Sequence, residues 1–514
     1  MDGERPSTST SEDVESLAKA RALHARWKRR RKHIFVLTNA GKPIYTRWGD
    51  VPELSGLIAT QMGLLQAVLS RSQCLAGGGG ELRACYTKGT TFVFLVRGPL
   101  YLVAISKTGE SAAYLRLQLT HLYNQIIFLL TSKVLRMLES SPSYDVSMLL
   151  EGTHRVLSGT IHLANHSPHI ALDCFNYLPL GREARTAVER ALLLAQAKDL
   201  LFGVLTAGGS VVSYVQPKAA RLALSASDMQ LILNFVSKAR VLQTFENSVQ
   251  MCLPTVSDTG FLHAHVSFVT KGVCLLLISN WSIDQFSQLS QLRGAVATEL
   301  DESGALAQVV DAFEHAPIAI SDLQLPRLWH FVFKVKVGES SQCFSPSFHP
   351  MCANAKQQKR LWRKYVALNE RLQLVRKRPA GAAADAKSKR RSILPGRGAR
   401  WEKAQLCDIA DDGTVVCIAG TDRAGNYELY VLLRLVVPST HCCAARACGV
   451  RSSFDLTSSP PPSSPRTPCS PATLRLSPSL LRRRRRRCAT LSFSGCASTR
   501  PLSSPRRRRG ERVN

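Results

Sequence analysis

The chain has 514 residues, 67 Lys+Arg against 37 Asp+Glu, a formal net charge of +30, 45% hydrophobic residues and 15 cysteines. At about 150 residues per domain this length accommodates about three domains with real apolar cores, which excludes a peptide hormone, a disulfide miniprotein and a wholly disordered chain. The longest apolar stretches, 92–105 and 126–138, are interrupted by Arg97 and by Lys133 and Arg136, and neither approaches the ~20 residues of a membrane helix.

The first residues, MDGERPSTSTSEDVES, carry acid where a signal peptide needs a basic start and an apolar core, so the chain is expected to stay in the cytosol with its cysteines as thiols. Residues 1–31 read as a disordered basic segment. KHIFVLTNAGKPIYTRWGD (32–50) then gives two short strands around the turn Asn39-Ala40-Gly41-Lys42-Pro43. Leu54, Leu57, Ile58, Met62, Leu65, Val68 and Leu69 recur at helical spacing and predict an amphipathic helix over 53–71. Strands are expected at Leu82–Tyr86, Thr91–Val96 and Leu100–Ser106, followed by a helix from Ser111 to about Leu138. The first unit, 32–138, thus reads β-β-α-β-β-β-α.

After a helical linker (139–197) the order returns over 198–300. LLFGVLTAGGSVVSYVQP is a hairpin, 225–239 a helix with Ser227 as its N-cap, 260–279 two strands turning at Lys271-Gly272, and 285–300 a closing helix. Beyond a second linker (301–326), a third and incomplete copy (327–437) has a strand at 328–337, a helix over 357–375, a basic insert at 377–400 and strands at 414–420 and 427–435, with no final helix. The stretch 438–514 holds sixteen arginines, no lysine and two acids, Asp455 and Glu511. It lacks any period of 3.6 or 2 and reads as a disordered Arg/Ser/Pro-rich tail. Arginine without lysine beside Pro, Ser and Cys also fits translation of GC-rich sequence in an unusual frame.

An α+β chain of tandem five-stranded antiparallel sheets with flanking helices resembles the longin/roadblock fold. At residue level FVLTNAGKPIYTRWGD (35–50), GPLYLVAISKTGESAAYLRLQL (98–119), SYDVSMLLEGT (143–153), GFLHAHVSFV (260–269), LWHFVFK (328–334) and FSPSF (344–348) are similar to the Mon, or SAND, family of vacuolar-fusion proteins. The resemblance covers about 32–350 and thins thereafter. In this family the last helix of a third longin unit follows a strand like Tyr427-Glu428-Leu429-Tyr430, and here that helix is missing.

No G-x-x-x-x-G-K-[ST], H-E-x-x-H, G-x-S-x-G or strand-linked G-x-G-x-x-G is present, which weighs against common hydrolase, kinase and NTPase activities. Gly77 to Gly80 follow no strand and read as a flexible connection. His162 and His166 share a helical face, but Pro168 breaks the helix before His169 and no Cys or carboxylate stands beside them, so neither metal nor cofactor is expected. His263 and His265 alternate with Leu262, Ala264 and Val266 and read as surface positions. Cys442, Cys443 and Cys448 make only a loose cluster, with Cys469 too remote for a zinc site.

Two basic runs stand out: Lys28, Arg29, Arg30 and Arg31 before the first strand, and Lys377, Arg378, Lys389 and Arg390 around the basic insert. Such runs suit an anionic lipid surface, at about 1 kcal/mol per basic residue, or nucleic acid. The resemblance implies the former, an acidic phosphoinositide membrane surface, with no nucleic acid. It further implies a subunit that pairs with a Ccz-family longin protein to promote GDP release from a late-endosomal or vacuolar Rab GTPase, acting in endosome maturation and fusion with the vacuole or lysosome. Such activity works by binding rather than covalent catalysis, in a cytoplasmic protein recruited peripherally to the late endosome or vacuole. The expected partner or Rab interface lies along the first hairpin and helix: Asn39, Lys42, Pro43, Tyr45, Trp48, Leu57 and Leu64. Tyr45 and Trp48 equally suit core positions. A non-catalytic longin-type trafficking adaptor and a basic nucleic-acid-binding protein are the alternatives.

Overall fold

The computed structural model describes residues 27–39, 41–49, 82–141, 146–195, 200–216, 223–239, 246–280, 286–315, 318–325, 327–338, 340–352, 354–376, 402–410, 413–421 and 426–435, with Ala22, Ala25, Gly63 and Leu242 besides. The helix expected over 53–71, the Gly77–Gly80 connection, the basic insert and the tail from 438 lie outside these residues, apart from Gly63.

The first sheet comprises β1 (Lys32–Thr38), β2 (Pro43–Thr46), β3 (Ala84–Thr87), β4 (Thr90–Arg97) and β5 (Leu100–Ser106), in the order β2-β1-β5-β4-β3. Every pair is antiparallel. Strand alternation divides β1 between two cores: Ile34 and Val36 face helix α1 (Ala112–Ser140), whereas Phe35 and Leu37 pack with Trp27, Phe94 and Val103 on the opposite face. Trp27, 7% exposed, therefore belongs to the fold, and the first unit begins before residue 32. α1 starts where the Ser111 side chain accepts a hydrogen bond from Tyr114 N, and lays Leu115, Leu119, Leu122 and Ile126 on the sheet. Helix α2 (His154–His166), placed by sequence in the linker, adds Leu157 and Ile161 to this same core.

α1 is broken at Thr131, whose φ of 67° is a left-handed value that a β-branched side chain tolerates poorly. A loop of the second unit fills the break. Cys252 N donates to Phe128 O at 2.9 Å, and Ser132 N to Asp258 O at 2.7 Å, so backbone groups freed by the kink are satisfied across the units.

The second sheet repeats the first. β7 (Leu200–Ala207), β8 (Ser210–Val215), β9 (Asn247–Met251), β10 (Leu262–Thr270) and β11 (Val273–Ser279) lie in the order β8-β7-β11-β10-β9. Its faces are covered by α3 (Arg182–Leu194), α4 (Ala226–Lys238), α5 (Phe286–Glu302) and α6 (Ala305–Glu314). The N-cap of α4 is Ser225, which accepts from Asp228 N at 3.0 Å, and not Ser227; Ser225 is the residue with extended backbone that leaves its oxygen facing the free N–H groups. On the outer turns, Phe313 of α6 sits over Gly208 and Gly272, where glycine is required by positive φ and by the ring itself.

A third sheet runs β14 (Glu402–Ala410), β15 (Gly413–Thr421), β16 (Tyr427–Leu435), β12 (Leu328–Val337), β13 (Ser340–Phe344), so the same spatial order recurs, with helix α7 (Ala355–Arg376) inserted after β13. A sixth strand, β6 (Phe175–Asn176), adds parallel to β13 although it comes from the segment between the first two units. Beyond it Tyr177 bridges Val211 of β8, and Leu178 N donates to Val211 O at 2.8 Å. One short stretch of linker thus covers an edge of the second sheet and an edge of the third.

Candidate functional site

The first hairpin turns tightly because Gly41 takes φ 82° and Lys42 N donates to Thr38 Oγ1 at 3.1 Å. Asn39 N donates to Pro99 O at 2.8 Å, which rests this turn on the β4–β5 turn. Asn39 and Lys42 are exposed and Pro43 is half-buried. Tyr45 is a core residue: it is 2% exposed, its hydroxyl shares a hydrogen bond with Ser158 Oγ at 2.9 Å, and burial pushes its phenol up to about 12. Trp48 is half-buried. Its Nε1 donates to Lys32 O at 2.8 Å, and the Arg30 and Arg47 guanidinium carbons lie 4.2 and 4.8 Å from its ring centroid. Leu57 and Leu64 lie outside the described residues.

Of the first basic run, Lys28 and Arg29 are exposed, Arg30 stacks on Trp48, and exposed Arg31 donates to Lys107 O at 2.7 Å. The run is thus partly built into the fold beside the hairpin. Lys377, Arg378, Lys389 and Arg390 lie outside the described residues.

Beneath the hairpin the sequence hides a buried ion pair. Lys32 Nζ donates to Glu110 Oε2 at 3.0 Å, to Asn165 Oδ1 at 3.2 Å and to Gln118 Oε1, and Thr108 Oγ1 donates to Glu110. Burial draws the Lys32 ammonium down to about 8, against the pull of Glu110. Burial opposes the Glu110 charge too, but Lys32 and the Thr108 hydroxyl outweigh it and hold the carboxyl at about 2, so both groups are charged at neutral pH. Nothing in the local sequence signals this pair, because its members are 78 residues apart.

α2 is anchored to the hairpin by His154 Nε2, 3.1 Å from Thr46 O. Farther along, His162 and His166 stack at 4.0 Å between ring centroids, with His166 Nδ1 3.0 Å from the His162 carbonyl. Both rings lose basicity, first through burial; His162 falls to about 4, with His166, Lys238, Arg47 and Lys359 adding to the effect. Among the described residues no group of three His, Cys, Asp or Glu side chains is arranged to hold a metal ion.

His265 departs from its sequence reading as a surface position. It is 1% exposed, with Nε2 3.3 Å from Glu246 Oε2 and its ring 5.0 Å from that of Phe286. Strand alternation does place it opposite Ala264 and Val266, but α5 covers that face. His263 beside it is half-buried.

The comparisons with known proteins agree with this repeat. A family model described as the first Longin domain of FUZ, MON1 and HPS1 matches residues 32–159, and one described as the second Longin domain of the same proteins matches 198–298. Protein SAND of Takifugu rubripes is 30% identical over 369 residues, covering 71% of this chain and 67% of that protein. The chain belongs to the Mon1/SAND family. Other Mon1 relatives include the vacuolar fusion protein MON1 homolog of Arabidopsis thaliana, 32% identical over 369 residues (66% of this chain, 59% of that one). The human vacuolar fusion protein MON1 homolog A is 32% identical over 349 residues (67% and 52%). The chain spans about half to two thirds of the length of these Mon1/SAND relatives. The first longin match continues past residue 138 into α2, the helix that completes the first core. Among the described residues no helix is long and apolar enough to cross a membrane.

Proposed function

We propose that the chain acts in vacuolar fusion as one subunit of a heterodimeric guanine-nucleotide exchange factor for a late-endosomal or vacuolar Rab GTPase, its partner being a Ccz-family longin protein. The observation that carries this reading is similarity to proteins named for vacuolar fusion that extends through two successive longin domains. Exchange of this kind needs no nucleophile and no metal of its own. A factor that binds the nucleotide-free GTPase more tightly than the loaded one must, by linkage, weaken nucleotide binding.

In this reading the first longin unit forms the joint. The helix expected over 53–71 from its sequence spacing would carry apolar residues at both the Leu54/Ile58/Leu65 and the Leu57/Leu64/Val68 positions, more than one buried face uses. The partner's equivalent unit covers that surplus and the Rab lies across the seam, near Asn39 and Lys42. Recruitment to acidic phosphoinositides through the basic runs brings the pair peripherally to the late endosome or vacuole.

The test is release of fluorescent GDP from a panel of Rab GTPases, with this chain alone and with a Ccz-family partner. Little release by the single chain and strong acceleration by the pair is the expected result, abolished by Leu57→Asp or Leu64→Asp. A full-strength single chain, or a normal Leu64→Asp heterodimer, overturns the shared surface. A pair that assembles without accelerating release of any Rab's nucleotide makes the chain a longin-type adaptor instead.

A further inference from the structure

The third sheet repeats the second strand for strand: β13-β12-β16-β15-β14 lie in the order of β8-β7-β11-β10-β9. In both units a helix follows the second strand, α4 after β8 and α7 after β13, and covers one face. The two sheets differ on the other face. In the second unit Val273, Leu275 and Leu277 of β11 are 0% exposed, in one core with Leu289, Val296 and Leu300 of α5 and Val309 of α6. The matching strand, β16, alternates two environments. Tyr430 and Leu432 are buried with α7, whereas Leu429, Val431 and Leu433 are half-buried and belong to no core among the described residues.

The register extends this face sideways. Val431 stands between Phe331 of β12 and Ile418 of β15, Leu429 pairs with Phe333, and Phe333 pairs with Phe344 of β13. The Phe331 and Phe344 rings lie 5.9 Å apart, and both residues are half-buried, as is Ile418. Strand alternation places no charged residue on this face of the four strands β13, β12, β16 and β15. A contiguous apolar patch of this kind marks an interaction surface.

Nothing in the 514 residues suits it. Where α5 follows β11, the sequence after β16 (436–514) has no period of 3.6. The helix expected over 53–71 is strung between β2 and β3 of the first sheet, and Trp27 ties the N-terminal segment to that sheet as well. The insert 377–400 has only Ile393 and Leu394 as large apolar residues, next to Pro395. A second copy is opposed by charge, since two chains of net +30 repel, and the same charge draws an acidic partner.

We infer that the outer face of the third sheet, centred on Phe331, Phe344 and Val431, docks an amphipathic helix of a partner protein, apolar on one side and acidic on the other. That helix takes the place that α5 takes on the second sheet. The surface goes beyond the proposed exchange activity and does not depend on it.

The full-length chain would be titrated into a fluorescein-labelled peptide of about 18 residues, with leucines at helical spacing and glutamates elsewhere, and followed by anisotropy. One control peptide has lysine for every glutamate, and another the same composition without the helical spacing. Saturable binding of the first peptide alone is expected, weakened about tenfold or more by Val431→Asp or Phe331→Ser and unchanged by Tyr86→Ser on the edge of the first sheet. Melting guards against misfolding: Val431→Asp should lower the melting temperature far less than Leu277→Asp, which lies beneath α5. Equal losses would mean that the chain covers this face itself. A dimer in sedimentation that Val431→Asp dissolves would give the face to a second copy. Either result, or binding that is absent or equal for the three peptides, would overturn the assignment.

Discussion

Gly159 of α2 and Asn234 of α4 meet so closely that a methyl group on the glycine would collide with the Asn234 amide oxygen. Asn234 cannot swing aside cheaply, because its Nδ2 donates to Gln125 Oε1 and to Val156 O, both at 2.9 Å, and to Thr160 Oγ1 at 3.0 Å. Gly159→Ala normally gains up to about 1 kcal/mol in a helix. Here overpacking at a polar crossing should dominate and destabilise the chain by about 1–3 kcal/mol. Denaturant unfolding of the variant checks this, and a gain in stability would refute it.

Phe313 provides a second steric test. Gly208 has φ 55°, and its missing Cβ points into the Phe313 ring; a Cβ on Gly272 would lie 2.7 Å from the same ring. Gly208→Ala should therefore destabilise for two separable reasons, backbone strain and collision. Only the collision disappears in a Phe313→Ala background, so a double-mutant cycle should give a coupling of about 0.5–3 kcal/mol. Strict additivity would mean that the ring does not constrain the turn.

Acid should expose the Glu110 pair. The Glu110 carboxyl is held at about 2, below its ordinary 4.5, so the folded state binds fewer protons there than the unfolded state between those values. Its contribution is complete above about pH 4.5 and is lost as pH falls toward 2, amounting to about 3 kcal/mol. Glu110→Gln should flatten the acid limb of a stability–pH profile, while Lys32→Met, which strands a buried carboxylate, should cost about 3–5 kcal/mol at pH 7. An unchanged acid limb in Glu110→Gln would count against the pair.

The edge of the first sheet makes a further prediction. β3 is an outer strand with an exposed face, and Tyr86 is 69% exposed beside the exposed thiol of Cys85. Cys274 is buried within the second sheet, and burial pushes its thiol up to about 12. Under native conditions a maleimide should label Cys85 rapidly and Cys274 only on unfolding, as mass spectrometry would read. Equal labelling rates would contradict the burial described.

Much of this architecture was legible because it rests on local patterns. Alternating apolar strands around Gly41, Gly98 and Gly208 announce their own hairpins, and the recurrence of one order announces a repeat. What escaped lacks such a signal. β9 (NSVQM), β13 (SSQCF) and the two-residue β6 are short or polar, and they are strands only because a neighbouring edge requires hydrogen bonds. His265 misled for a related reason: period-2 alternation tells which residues share a face, not whether a helix later covers it. At the candidate site the hairpin residues could be read, but Tyr45 resolves into core. Lys32 and Glu110 meet only because the first sheet and the start of α1 pack together, which no spacing encodes.

The linker stretch that touches both the second and the third sheet has a consequence for the order in which the chain is made. Phe175 and Cys343, whose carbonyl and thiol meet at 3.3 Å, are 168 residues apart, and the β8 edge that flanks the same linker emerges much sooner. During synthesis the linker can dock on β8 at once and then wait, one side open, as a ready template for β13. The third sheet would thus be seeded by a strand laid down before any of its own residues had left the ribosome. A ribosome stalled before β13 would leave a nascent chain with that template bare.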